Sequence, residues 1–158
     1  MASELRVDRI IPVNGVPTGG GGGVIQMVHL FDDSMTTTTS SYTDIFTADL
    51  SITLKSLSNK IYIVATIPYV QNSNSGGSAD LSTISQLVRT TSGSDVQLTF
   101  ARTRHNSAAD FHNNHHHSFV DSGFSSLTQT YNLQFARTGG NDTAYANDSQ
   151  IVAMEFSG

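Results

Sequence analysis

The sequence contains no cysteine and no tryptophan, and its only lysines are Lys55 and Lys60. A chain without thiols has no disulfide, no zinc–thiolate site and no thiol catalysis. Charged residues make up 13% of the chain, and the net charge is −5 with the arginines scattered. This leaves no basic face to neutralise phosphates, which argues against a nucleic-acid partner.

Long apolar runs are missing as well. No stretch approaches the ~18 apolar residues that span a bilayer. The first residues also lack the basic segment and apolar segment of a signal peptide. We therefore expect no membrane span and no signal peptide. A length of 158 residues suits one domain with its own core.

The first 23 residues differ in pattern from the rest. Pro12 and Pro17 oppose a helix and favour extended backbone, and the glycine run that follows has maximal backbone freedom. We predict a docking arm with a glycine hinge at 1–23 and a head domain at 24–158; the alternative is a first strand followed by a loose loop. The predicted docking residues are Leu5, Val7, Ile10, Ile11 and Val13, and the hinge residues are Gly19, Gly20, Gly21, Gly22 and Gly23.

From residue 24 onward, apolar and polar residues alternate. Leu50, Ile52 and Leu54 alternate with polar residues, which is typical of half-buried antiparallel strands. No window shows a helical period. Roughly nine short strands favour an all-β, antiparallel jelly-roll-like β-sandwich with an extended N-terminal arm. Further predicted strands lie at 24–30, 61–67, 81–89, 96–100, 118–124, 130–135, 143–147 and 151–156.

The segment 61–67 is apolar at every position except Thr66. A strand of this kind needs cover on both sides, with a core on one side and another layer or subunit on the other.

Motifs for catalysis are absent. The glycine run has no following Gly-Lys-Ser/Thr, and neither Gly-x-Ser-x-Gly nor His-Glu-x-x-His occurs. Asp142 and Asp148 could supply oxygen ligands to calcium, but no spaced acidic array supports them. We expect no enzyme activity and no cofactor. A polysaccharide hydrolase is a minor alternative, because no paired acidic residues are evident.

Histidine is concentrated in one segment. His112, His115, His116 and His117 lie within six positions, His105 is just upstream, and asparagines surround them. We predict an exposed polar loop here. Two alternatives remain open: a metal site at a symmetry axis, for which His115 and His117 are the candidates, and a pH-sensitive contact.

The order of several short stretches resembles virion proteins of marine tailed phages, notably cyanophages. The opening residues 3–18 read SELRVDRIIPVNGVPT and run into the glycines. In the body, the matching stretches are SYTDI at 41–45, LSITL at 50–54, SNKIYI at 58–63, SFVDS at 118–122, TYNLQF at 130–135 and SQIVAMEF at 149–156. The 105–117 region departs from the pattern of these relatives.

The resemblance implies a trimeric jelly roll, similar in architecture to complement and tumour-necrosis-factor heads, displayed on the virion surface as a capsid decoration or head fibre. Another virion protein would hold the arm. Tyr62, Val64, Tyr131 and Phe135 are then the expected trimer-interface residues. The rival function is a tail-fibre tip that recognises host glycans through the segments 72–78, 105–117 or 139–148.

Overall fold

The computed structural model describes residues 23–73, 81–91, 93–105, 111–138 and 143–158. These residues form strands and connecting turns, and none of them forms a helix that could span a membrane. The strands are β1 (Val24–Thr37), β2 (Thr43–Asp44), β3 (Leu50–Thr53), β4 (Lys60–Ser73), β5 (Leu81–Thr91), β6 (Ser94–His105), β7 (Phe111–Asp121), β8 (Thr128–Thr138) and β9 (Thr143–Phe156).

Two antiparallel sheets contain these strands. Sheet A has the order β1-β9-β4-β7, and sheet B has the order β2-β8-β5-β6, with β3 also paired to β8. Because β2 and β3 follow one another along β8, they act as one interrupted edge strand. With β2 and β3 counted as one edge strand, the molecule has two four-stranded sheets between which the chain crosses repeatedly, which is the architecture of a jelly roll. The predicted fold class is therefore confirmed.

Period-two alternation explains how the sheets pack. Along β4, Ile61, Ile63, Ala65 and Ile67 are fully buried between the sheets, whereas the residues between them face outward and are half-buried. β9 keeps the same alternation, and β8 adds the inward-facing Tyr131, Leu133 and Phe135 to the core from the other sheet. The largest fully buried apolar side chains are Tyr131, Phe135, Ile45, Ile52, Ile61, Ile63, Ile67, Leu87, Leu133 and Ile151.

Most strands extend beyond their predicted bounds, and two of them differ in kind. The segments 143–147 and 151–156 form one continuous strand, β9, which passes through Asp148 with a φ of 54°. Aspartate tolerates this left-handed conformation better than most residues, so the chain continues without a turn. The predicted strand at 118–124 belongs to the longer β7, which ends at Asp121.

The register places several chain segments at one end of the sandwich. Val24 pairs with Phe156, and Phe156 pairs with Lys60. The β5–β6 turn and the β7–β8 loop belong to this end too, since Arg89 pairs with Tyr131 near the start of β8. We call it the Val24 end. Residues 1–22, which contain the predicted docking residues and all hinge glycines except Gly23, are outside the described residues.

Candidate association surface and buried polar clusters

The outer face of sheet A carries an apolar surface that crosses all four strands. Met27, Met154, Tyr62 and Val120 lie side by side in the strand register, one from each strand. Met27 is 61% exposed and Val120 is 55% exposed. Neighbouring side chains on one face of a sheet contact each other across strands, so the four residues form one continuous apolar row.

Two further rows extend this surface. The second places His29, Val152, Val64 and Ser118 next to one another, and in the third Phe31 begins a row otherwise made of polar residues. Phe31 is 58% exposed. None of the twelve residues in the three rows is an aspartate, glutamate, lysine or arginine. We define the apolar face as Met27, Phe31, Tyr62, Val64, Val120, Val152 and Met154.

The predicted trimer-interface residues separate into two pairs. Tyr62 and Val64 lie at the centre of the apolar face and are half-buried, so their role at an interface stays a prediction. Tyr131 and Phe135 are 0% exposed within the single chain and belong to its core. Their predicted place at the interface is wrong, because they sit at inward positions of β8, which period-two alternation alone does not distinguish from outward ones.

The histidine-rich segment is a strand, which corrects the predicted loop. Residues 111–121 form β7 and pair along β4, with His117 opposite Ala65 and His115 opposite Ile67. His115 and His117 point between the sheets and are 3% and 2% exposed, whereas His116 faces outward and is exposed. His105 and His112 lie on β6 and β7.

Hydroxyl groups satisfy both buried imidazoles. The Ser85 hydroxyl lies 2.6 Å from His115 Nδ1 and 2.9 Å from His117 Nε2, so it links the two rings. The second nitrogen of His115 lies 2.8 Å from Thr103 Oγ1, and that of His117 lies 2.8 Å from Thr99 Oγ1. We call His115, His117, Ser85, Thr99 and Thr103 the histidine seam. It connects β7 of sheet A to β5 and β6 of sheet B. A polar network therefore closes this side of the sandwich.

The histidine seam is built for neutral imidazoles. Burial lowers the pKa of His115 to about 4 and that of His117 to about 4, with the neighbouring histidines adding to the effect at His117. All four ring nitrogens have hydroxyl partners, and both rings lie inside one chain. Both rings therefore face the interior of the sandwich, and the metal site at a symmetry axis suggested for His115 and His117 stays an untested alternative. Among the described residues, no three His, Cys, Asp or Glu side chains form a group suited to a metal.

A partly buried ion pair joins the sheets near the Val24 end. Arg89 Nη1 donates to Asp121 Oδ1 at 2.8 Å and to Oδ2 at 2.9 Å. The Tyr131 hydroxyl donates to Asp121 Oδ2 at 2.9 Å, and the backbone amide of Ser122 donates to Oδ1. Burial, followed by the Asp121 carboxylate, raises the pKa of Tyr131 above its usual value, so this phenol stays protonated and acts as a donor.

Glu155 forms a second buried polar cluster at the same end. Its Oε1 accepts hydrogen bonds from the Lys55 amide at 2.7 Å and from Asn59 Nδ2 at 2.6 Å, and its Oε2 accepts one from Gln26 Nε2 at 2.5 Å. Burial alone would raise the pKa of this carboxyl, but these hydrogen bonds and one from the Ser56 amide lower it below its usual value. The ionised carboxylate ties the turn between β3 and β4 to β9 and β1.

Sequence reasoning missed both clusters. The sequence contained one signal for each cluster, a charged residue within a predicted strand. Arg89 is the last residue of the predicted strand 81–89, and Glu155 lies within the apolar run 151–156.

The suggested calcium ligands are not brought together by the described residues. Asp148 is an exposed strand residue of β9, and the second suggested ligand, Asp142, is outside the described residues. Of the segments suggested for glycan recognition, residues 74–78, 106–110 and 139–142 are also outside the described residues.

No protein-family model and no curated protein matches this chain. Among solved structures, a chain from the structure of the infectious bursal disease virus Gx strain superposes with a TM-score of 0.29, 12% identity, 92% coverage of this chain and 44% of that one. A chain from T=1 particles derived from infectious bursal virus gives a TM-score of 0.31, 11% identity and the same coverages. The chain thus spans less than half the length of either neighbour. Structural similarity at these low TM-scores does not indicate a function.

Proposed function

We propose that this chain is a non-enzymatic virion structural protein, an outward-projecting trimeric knob held by its N-terminal arm to a larger virion protein. The resemblance of the opening residues and of the ordered body stretches to phage virion proteins supports the virion role. The jelly-roll fold, which capsid domains among others use, agrees with it. The apolar face of sheet A is the observation that supports the association of copies into a trimer.

The apolar face needs a partner of matching chemistry. Isolated apolar side chains on a protein surface are ordinary, but contiguous ones across a whole sheet mark interaction sites. A second copy of the chain fits, because three rows without charged residues create no charge repulsion against the surface of another copy. Closed symmetric assembly is the usual state of homo-oligomers, and three copies agree with the resemblance. The sandwich then gains burial that a chain of this size needs.

The arm is the proposed link to the particle. It joins the head at Gly23, next to edge strand β1, and in extended form 18 residues reach ~60 Å. The apolar residues Leu5, Val7, Ile10 and Ile11 would dock into the partner protein, and the glycines would let the head reorient. In this arrangement the arm anchors the protein to the particle, and the head domain projects outward.

Deleting residues 2–18 tests the anchoring role. We expect the shortened protein to remain soluble and trimeric and to be absent from purified particles, measured by mass spectrometry of virions assembled in the presence of either form. As a matched control, exchanging Glu4 and Asp8 for the corresponding amides should preserve incorporation. Incorporation of the shortened protein at the level of the full chain would refute the docking role.

A further inference from the structure

A titratable side chain lies within the apolar face, although the three rows contain no aspartate, glutamate, lysine or arginine. His29 is an exposed residue of β1 and begins the second row, in which Val152 is its neighbour on β9. Met27 and Phe31 lie two residues to either side of it on the same strand, so they share its face, and they are 61% and 58% exposed. The imidazole therefore has apolar side chains on three sides.

The position of His29 determines its surroundings in an assembly. Met27 and Phe31 are about 13 Å apart along the strand, so a second copy of the chain that covers both also covers the residue between them. A surface that complements these two side chains is apolar, and it offers no carboxylate to the imidazole. Covering a neutral imidazole in this way costs little, whereas covering an unpaired imidazolium is strongly unfavourable.

The chain itself places no acidic residue beside His29 on this face. On β9, Glu155 points inward and accepts hydrogen bonds from other donors, and Asp148 comes after the third row. On β1, Asp32 and Asp33 also come after the third row. β3, which packs behind β1, contains no charged residue. Among the described residues, a proton on His29 therefore gains no counter-charge from the elements around it.

We propose that His29 makes the assembly of this chain dependent on pH, so that copies associate while the imidazole is neutral and separate when it is protonated. The inference rests on the proposed trimer and names a way in which that trimer is regulated. Water solvates the imidazolium in the free chain, whereas the assembled face excludes it. Association is therefore strongest above the range in which histidine titrates, near pH 6.5, and weakens as the pH falls through that range.

A second exposed histidine on the same side of sheet A provides a comparison. His116 lies in the third row beside Thr66 of β4, and its neighbours along β7 on this face are Asn114 and Ser118. These neighbours are polar, and β7 is the edge strand of the sheet. Water at this polar margin solvates an added proton. We therefore assign the pH dependence to His29 and not to His116.

Sedimentation equilibrium of the full chain at pH 7.5 and pH 5.5, over a series of loading concentrations, measures the trimer association constant at each pH. Excluding one proton from each covered histidine should weaken association about tenfold per chain between these pH values, or about a thousandfold for three chains. His29→Gln keeps a polar side chain that stays neutral, and its association constant should change less than about threefold. Circular dichroism at both pH values establishes that each protein remains folded.

His116→Gln is the matched control and should keep the pH dependence of the wild type. A wild-type protein that is a single chain already at pH 7.5 would overturn the proposed trimer and this inference with it. A trimer of equal strength at both pH values would overturn the pH dependence alone and leave the trimer intact. A folded His29→Gln protein that dissociates at pH 5.5 as the wild type does would show that the assignment to His29 is wrong.

Discussion

At the scale of single residues, the inward-facing polar groups determine how the end of this sandwich is held together. Glu155 is 0% exposed, yet its carboxylate accepts hydrogen bonds from two side chains and from the Lys55 amide. Buried charges persist only when donors replace water. Here the donors come from β1 and from the turn after β3, so one side chain connects segments far apart in sequence.

Replacing Glu155 with glutamine should destabilise the protein by about 1–3 kcal/mol, because an amide group leaves part of this donor set without an acceptor. Urea denaturation monitored by circular dichroism measures the change. Gln150→Ala, an exposed position of the same strand, is the control and should shift the free energy of unfolding by less than ~0.5 kcal/mol. Equal effects of the two substitutions would contradict the structural role of the carboxylate.

At the scale of elements, the sequence predicts some strands well and one badly. Alternation predicts β3 and β8, because each has apolar residues on one face and polar residues on the other, and the continuous apolar run at 61–67 predicts β4. The 111–117 part of β7 is wrongly predicted as a loop because histidine and asparagine usually mark polar turns. In fact it keeps the same alternation, with His115 and His117 inward and Asn114 and His116 outward. Ser85, Thr99 and Thr103 lie far from β7 in sequence, so their pairing with it could not be predicted.

The histidine seam should make the fold acid-sensitive. The pKa of each buried imidazole is about 4 in the folded state against about 6.5 when unfolded. The folded state therefore binds fewer protons between these values, so stability is full above pH 6.5 and falls as the pH drops toward 4. At about 1.4 kcal/mol per pKa unit, the loss at pH 4 is roughly 3 kcal/mol for each histidine.

Urea denaturation of the wild type and of the double variant His115→Gln, His117→Gln across this pH range measures the effect. The double variant should lose most of the slope between pH 6.5 and 4. His116→Gln changes an exposed histidine of the same strand and should keep the wild-type slope. If the double variant and the wild type lose stability in parallel, the seam is not the acid-sensitive element.

At the scale of the whole molecule, the fold class could be predicted from the sequence. Which residues of each strand face the core and which face outward could not. The apolar character of both faces of 61–67 correctly indicated that β4 needs cover on each side, and Tyr62 and Val64 do lie on its outer face. Tyr131 and Phe135 show the opposite case, because only the pairing of β8 with β5 and β3 places them inside. The apolar face itself arises from strand register, which joins residues of β1, β9, β4 and β7.

A lysine at the centre of the apolar face should prevent assembly. Val64→Lys places a charge between Val152 and Ser118, where a facing copy offers it no carboxylate, and a buried unpaired charge is strongly unfavourable. Ser51→Lys adds the same charge at an exposed position of β3 and should leave assembly unchanged. Unaltered circular dichroism spectra confirm that both variants fold.

Sedimentation equilibrium of the full chain at micromolar concentration tests the central claim most directly, because it measures whether the apolar face is covered by further copies of the same protein. We predict a mass three times that of the 16.9 kDa chain for the wild type and for Ser51→Lys, and a single-chain mass for Val64→Lys. A wild-type protein that sediments as a monomer, or a Val64→Lys protein that still sediments as a trimer, would contradict the account.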